Sequence, residues 1–84
     1  MKQLLFFHAP WCPPCRRAEK EVIGPLEQEM GPKKIRRINA QEDPQTAERY
    51  RVTKLPTAIV EGDGEILYRA VGNFDRDTLK RFLE

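Results

Sequence analysis

The spacing of apolar and polar positions changes period several times along this chain, and each change marks an element. Residues 3–8 are apolar and aromatic and meet Pro10 too soon to form a helix, which predicts a buried strand. From Pro14 onward Cys15, Ala18, Val22, Leu26 and Met30 keep a three-to-four spacing, and Arg16, Arg17, Glu19, Lys20 and Glu27 take the opposite face. That stripe predicts an amphipathic helix. Gly24-Pro25 falls inside it and predicts a kink or break, because proline lacks an amide donor and crowds the preceding turn. Gly31-Pro32 ends it.

Lys33 to Asn39 places Ile35 and Ile38 among basic residues and reads as a second, edge strand. The next helix, about 44–51, opens with Pro44 in its first turn and turns Ala47 and Tyr50 inward. Thr57 to Glu61 and Glu65 to Val71 flank Gly62-Asp63-Gly64, a hairpin signal, so both become antiparallel strands. Asp75 caps a last helix, with Phe74 and Leu79 at staple positions and Leu79, Phe82 and Leu83 facing the core. The order is βαβαββα. A right-handed crossover followed by a hairpin predicts a mixed four-stranded sheet with helices on both faces, an α/β domain.

With 84 residues, the chain is expected to be a single domain, 1–84, near the lower size limit for an uncross-linked core. Hydrophobic content of 39% with 33% charged residues suits a soluble domain. A net charge of +2 gives no case for nucleic acid or an anionic membrane surface. The apolar run Leu4-Leu5-Phe6-Phe7 is too short for a signal-peptide core or a spanning helix, so a cytoplasmic protein is expected.

The chemistry lies in Trp11-Cys12-Pro13-Pro14-Cys15, which holds the only two cysteines. In a reducing compartment such a pair serves catalysis or metal binding rather than as a structural staple. Zinc would need two further ligands, and His8 is the only histidine. Dithiol–disulfide exchange is therefore the expected chemistry. Cys12, at the head of the helix, is the expected attacking thiolate, since unpaired amides and the helix dipole favour negative charge there. Cys15, one turn on and on the buried face, is the expected resolving thiol. Pro14 suits the first turn of a helix, and Pro13 adds stiffness between the thiols.

These residues resemble those of thioredoxins over nearly the whole chain. Phe7 to Cys15 is similar to the family's active-site strand and loop, and Asn39 with Gln41-Glu42-Asp43-Pro44 to its next strand and helix start. Tyr50 to Thr57 resembles its proline loop, and Val71-Gly72 its closing glycine motif. The resemblance implies a minimal thioredoxin-like fold with a monomeric state and a redox-active Cys12–Cys15 disulfide in place of any bound cofactor or metal. It implies a cis Leu55–Pro56 bond, a client strand pairing with the Leu55 backbone, and one apolar groove lined by Trp11, Pro56, Val71 and Gly72. Val71 is equally open to a core reading. Disulfide-containing proteins would be the clients, and an NADPH-dependent thioredoxin reductase the electron donor.

The chain departs from the family in three ways. It opens where the second strand of longer thioredoxins begins, which gives a sheet of glutaredoxin size. Phe6 stands where a buried aspartate is common, and His8 where an aromatic residue is usual. His8 shares the strand face of Phe6, which opens a tuning or proton-transfer role beside a packing one. Lys54, before Leu55-Pro56, is either a rim cation that lowers the Cys12 pKa or attracts acidic clients, or a solvated lysine. Two rivals remain: a glutathione-dependent, glutaredoxin-like reductase, suggested by Gly72-Asn73-Phe74-Asp75, and a thioredoxin-like binding module.

Overall fold

A computed structural model describes residues 1–84. Its strands are β1 Lys2–His8, β2 Ile35–Asn39, β3 Thr57–Gly62 and β4 Glu65–Val71, in the order β2-β1-β3-β4. β1 runs parallel to β2, with Leu4 opposite Ile35 and His8 opposite Asn39, and antiparallel to β3, with Phe7 opposite Thr57. β3 and β4 are antiparallel. A central strand buries both faces, which explains why β1 reads as an unbroken apolar run.

Alternation along the strands divides the core in two. Leu4, Phe6, Ala58 and Val60 face one side and pack with Cys12, Cys15, Ile23, Leu26, Leu79 and Leu83. Leu5, Phe7, Ile38 and Ile59 face the other and pack with Ala47. Helices therefore cover both faces, as the element order predicts. No helix is long and apolar enough to cross a membrane.

The crossover from β1 to β2 is helical throughout but not uniform. It comprises α1 Pro13–Ala18, a π-helical turn Glu19–Ile23, and α2 Gly24–Met30. The kink or break expected at Gly24-Pro25 is instead this widened turn, placed just before the proline. Pro25 cannot donate to the carbonyl four residues back, and a π turn absorbs such a missing bond without ending the helix. Within it the Gly24 amide donates to the Glu19 carbonyl. A Cβ on Gly24 would lie 3.1 Å from that oxygen, so the bare α-carbon has a steric reason. A short 3-10 turn, Pro32–Lys34, leads into β2.

The second helix is shorter than expected, α3 Pro44–Arg49. Asp43 caps it, accepting from the Thr46 amide at 3.2 Å and hydroxyl at 2.7 Å. Tyr50 and Arg51 lie beyond its end because Arg51 adopts a positive φ of 58°. The Arg51 amide donates to the Glu48 carbonyl and the Val52 amide to the Ala47 carbonyl, the Schellman closure ordinarily built on glycine.

The hairpin has a two-residue loop. Asp63 and Gly64 have φ of 53° and 83°, the doubly left-handed geometry that matches strand twist. Asp75 caps α4 Arg76–Leu83 through Thr78, and Phe74 packs edge-on to Phe6 with centroids 6.0 Å apart.

Candidate active site

β1 ends at His8, and the chain turns through Ala9, Pro10 and Trp11 into the helix head. Cys12 is the N-cap, with extended backbone (φ −104°, ψ 99°), so the helix begins at Pro13 rather than Pro14. Two consecutive prolines occupy positions whose amides lack intrahelical partners in any case. Cys12 and Cys15 form a disulfide, and the Cys15 amide is shared between the Cys12 carbonyl at 3.1 Å and Cys12 Sγ at 3.2 Å. The Arg16 amide donates to the Cys12 carbonyl at 3.2 Å.

Both cysteines are buried, at 3% and 2% exposure. Cys15 lies on the buried face as expected, and with the disulfide closed Cys12 packs into the same cluster as Phe6 and Ala9. What distinguishes the two sulfurs here is the hydrogen bond to Cys12 Sγ.

Leu55–Pro56 is a cis peptide. Pro56 is buried, and its carbonyl accepts from the Gly72 amide at 2.9 Å, which ties the proline loop to the end of β4. The Leu55 amide and carbonyl enter no main-chain hydrogen bond. Val71 is 49% exposed, which excludes the core reading left open for it.

The single groove expected from Trp11, Pro56, Val71 and Gly72 is three cavities. Trp11 and Leu55 border an apolar trough of about 750 Å³ with Ala40, Pro44, Ala47, Glu48, Arg51, Val52 and Thr53. Val71 borders a polar cavity of about 620 Å³ with Arg51, Thr53, Lys54, Thr57 and Arg69. Gly72 borders a small one of about 140 Å³ against Pro14, Arg17, Ala18, Glu21, Val22, Asn73 and Phe74. Division follows from the sheet: alternation puts Thr57, Arg69 and Val71 on the α3 side and the cysteines on the other.

His8 lies on the Phe6 face, stacked on that ring with centroids 5.5 Å apart and planes 14° off parallel. Burial pushes its imidazole below the ordinary 6.5, with Glu19 opposing, Arg37 reinforcing and Glu42 opposing. Two of these charged neighbours, Glu19 and Arg37, belong to an ion-pair network behind the helix. There Arg37 of β2 pairs with Glu19 at 2.6 Å and Glu27 at 3.0 Å. These bonds, from Glu19 first, raise the guanidinium pKa, and the Arg37 bond holds Glu27 below its usual range. Sequence reading missed this network because the π turn, which alternation does not reveal, places Glu19. It also missed Arg51 and Arg69 as site-lining residues, although strand alternation pairs Arg69 with Val71.

No group of three or more His, Cys, Asp or Glu side chains is arranged to hold a metal ion. The disulfide at the helix head takes up two electrons and two protons to become a dithiol, and the dithiol returns them, without another redox centre.

Comparison with known proteins gives the same reading. The family model described as Thioredoxin matches residues 1–84. Thioredoxin of Bacillus subtilis is 40% identical over 78 residues, covering 92% of this chain and 74% of that protein. Thioredoxin of Chlamydia caviae is 38% identical over 80 residues, covering 95% and 78%. Among solved structures, a thioredoxin variant from Halobacterium salinarum superposes with a TM-score of 0.82 at 33% identity, covering 98% of this chain and 71% of that one. A malarial protein shares the fold, with a TM-score of 0.85 at 21% identity, covering 99% and 93%. The chain therefore belongs to the thioredoxin family, and it is a thiol–disulfide oxidoreductase that reduces protein disulfides with its Cys12–Cys15 pair.

Proposed function

We propose that residues 1–84 act as one domain in which Cys12 is the nucleophile and Cys15 the resolving thiol. The observation that carries this assignment is the Cys15 amide, which the Cys12 carbonyl and Cys12 Sγ share, a donor that stabilises negative charge on that sulfur and not on the other. In the reduced protein the Cys12 thiolate attacks one sulfur of a client disulfide. The client S–S bond breaks, its leaving sulfur takes a proton, and Cys12 is joined to the client. Cys15, losing its proton, then attacks Cys12 Sγ; the intermolecular bond breaks and the second client sulfur leaves as a thiolate and takes up a proton. The client has gained two electrons and two protons, and the protein holds its own disulfide.

Client binding is assigned to Trp11, Leu55, Pro56, Val71 and Gly72. Support comes from the unpaired Leu55 main chain, which offers a donor and an acceptor to an extended segment. Trp11, 65% exposed, and Val71 supply apolar rims on two sides. Pro13 and Pro14 stiffen the turn, His8 tunes it through Phe6, and Lys54 stands at the rim. The site in this reading is cytoplasmic and monomeric. Electrons come from an NADPH-dependent thioredoxin reductase, with glutathione as the alternative donor.

One coupled assay tests the donor: NADPH-linked reduction of insulin disulfides with either thioredoxin reductase or glutathione plus glutathione reductase. Turnover with the first is expected. Turnover only with the second would reassign the donor, and none with either would reduce the fold to a binding module. For the cysteine roles, Cys15→Ser is expected to accumulate mixed disulfides through Cys12, and Cys12→Ser to accumulate none. Equal trapping by both variants would overturn the assignment.

A further inference from the structure

We propose that the cavity beside the Leu55–Pro56 loop is an anion subsite, which seats a carboxylate of the client segment next to the disulfide under attack; this rests on the disulfide-reductase reading above. Arg51, Lys54 and Arg69 line it with Thr53, Thr57 and Val71, so it holds three cations and no carboxylate. None of the three is in an ion pair. The chain's ion pairs lie elsewhere, at Met1–Asp63, at Arg37 with Glu19 and Glu27, at Arg76 with Glu29 and Asp77, and at Lys80–Glu29. Glu61, further along β3, accepts from the Tyr50 hydroxyl at 2.8 Å. Glu48 borders the neighbouring apolar trough instead.

The arrangement is held in place by the backbone. Arg69 donates to the Tyr50 carbonyl at 2.6 Å, which directs its guanidinium to the end of α3. Arg51 occupies the left-handed position that closes that helix, where glycine is the cheaper residue. The Thr57 hydroxyl donates to the Lys54 carbonyl at 2.6 Å, so the free donors of the cavity are Arg51, Lys54, the Thr53 hydroxyl and the guanidinium N–H groups of Arg69 not bound to Tyr50. Like charges gathered without a counter-charge make a local positive potential that an anion relieves.

Position selects the anion. Lys54 directly precedes Leu55, whose main chain is open to a strand. Side chains of an extended segment alternate between faces, so a residue beside the reacting client cysteine points to the α3 side, where the cavity lies. A client carboxylate there meets the three cations while the cysteine meets Cys12.

The test uses the full chain and three disulfide-bonded peptides that differ in the residue flanking one cysteine: Glu, Gln or Lys. At low ionic strength the Glu peptide is expected to be reduced with kcat/KM about tenfold above the Gln peptide, a steering effect that shrinks as salt screens exposed charges. Arg51→Asn with Lys54→Gln is expected to bring that ratio near one; asparagine tolerates the left-handed backbone. Lys54→Glu with Arg69→Glu is expected to reverse the order in favour of the Lys peptide, which a loss of folding alone would not do. A Glu-to-Gln ratio near one in the unaltered chain, with both peptides reduced, overturns the subsite and leaves the reductase intact. Reduction of none of the peptides overturns both. Acceleration only for a glutathionylated Gln peptide would assign the cavity to glutathione carboxylates, and the client-segment proposal would fall.

Discussion

Arg51 is the residue at which stability and function diverge most plainly. Its φ of 58° closes α3 in a geometry that disfavours any side chain, yet the residue borders both the apolar trough and the cationic cavity. Arg51→Gly is expected to stabilise the fold by about 1 kcal/mol, measured as a higher urea midpoint, while lowering the preference for acidic peptides. His8 gives a second prediction. Burial favours its neutral form, so its contribution to stability is complete above the ordinary 6.5 and is lost as pH falls through that value toward the lower folded one. Urea midpoints of the native chain should therefore fall between about pH 8 and about pH 5, and His8→Gln should flatten that slope. An equal slope in the variant would place the titration elsewhere.

Among the elements, the helix that carries the cysteines is the least regular. Replacing a helical glycine by alanine ordinarily gains about 1 kcal/mol. Gly24→Ala is expected to gain none of it, because the new methyl would press on the Glu19 carbonyl that the Gly24 amide binds. Thermal unfolding decides this, and a full alanine gain would mean that the π turn relaxes at no cost. The caps of α3 and α4 behave alike. Hydrogen bonds from Thr46 and Thr78 hold the Asp43 and Asp75 carboxyls below their usual range. Their contribution is present above the ordinary 3.8 and disappears as pH falls through the depressed folded values. Asp43→Asn with Asp75→Asn should weaken the acid dependence of the urea midpoint.

At the scale of the whole molecule, Phe6 joins the active helix to α4. It packs with both cysteines in one cluster, lies edge-on to Phe74 and stacks on His8. Phe6→Ala is expected to cost about 3 to 5 kcal/mol, a large share of the stability of so small a domain, and equilibrium unfolding measures it. The same residue shows how far each level of description reaches. A lone apolar run was enough to make β1 a buried strand, but only the packing shows Phe6 as the bridge between two helices.

Element order, the α/β class and the redox pair were legible in the amino-acid order alone, because periodicity, turn chemistry and the three-residue step between Cys12 and Cys15 are local properties. Asp75 as a cap and Gly62-Asp63-Gly64 as a hairpin turn were legible for the same reason, whereas the Asp43 cap emerged only from the structure. Tertiary structure decided the rest. It widened the helix before Pro25, ended α3 two residues early on a left-handed arginine, and buried Cys12 beside Cys15. It also exposed Val71 and divided the one expected groove into an apolar trough, a cationic cavity and a small cavity at Gly72. Those outcomes depend on which distant residues share a face of the sheet, a relation set by strand pairing and crossing helices that no local window of residues contains.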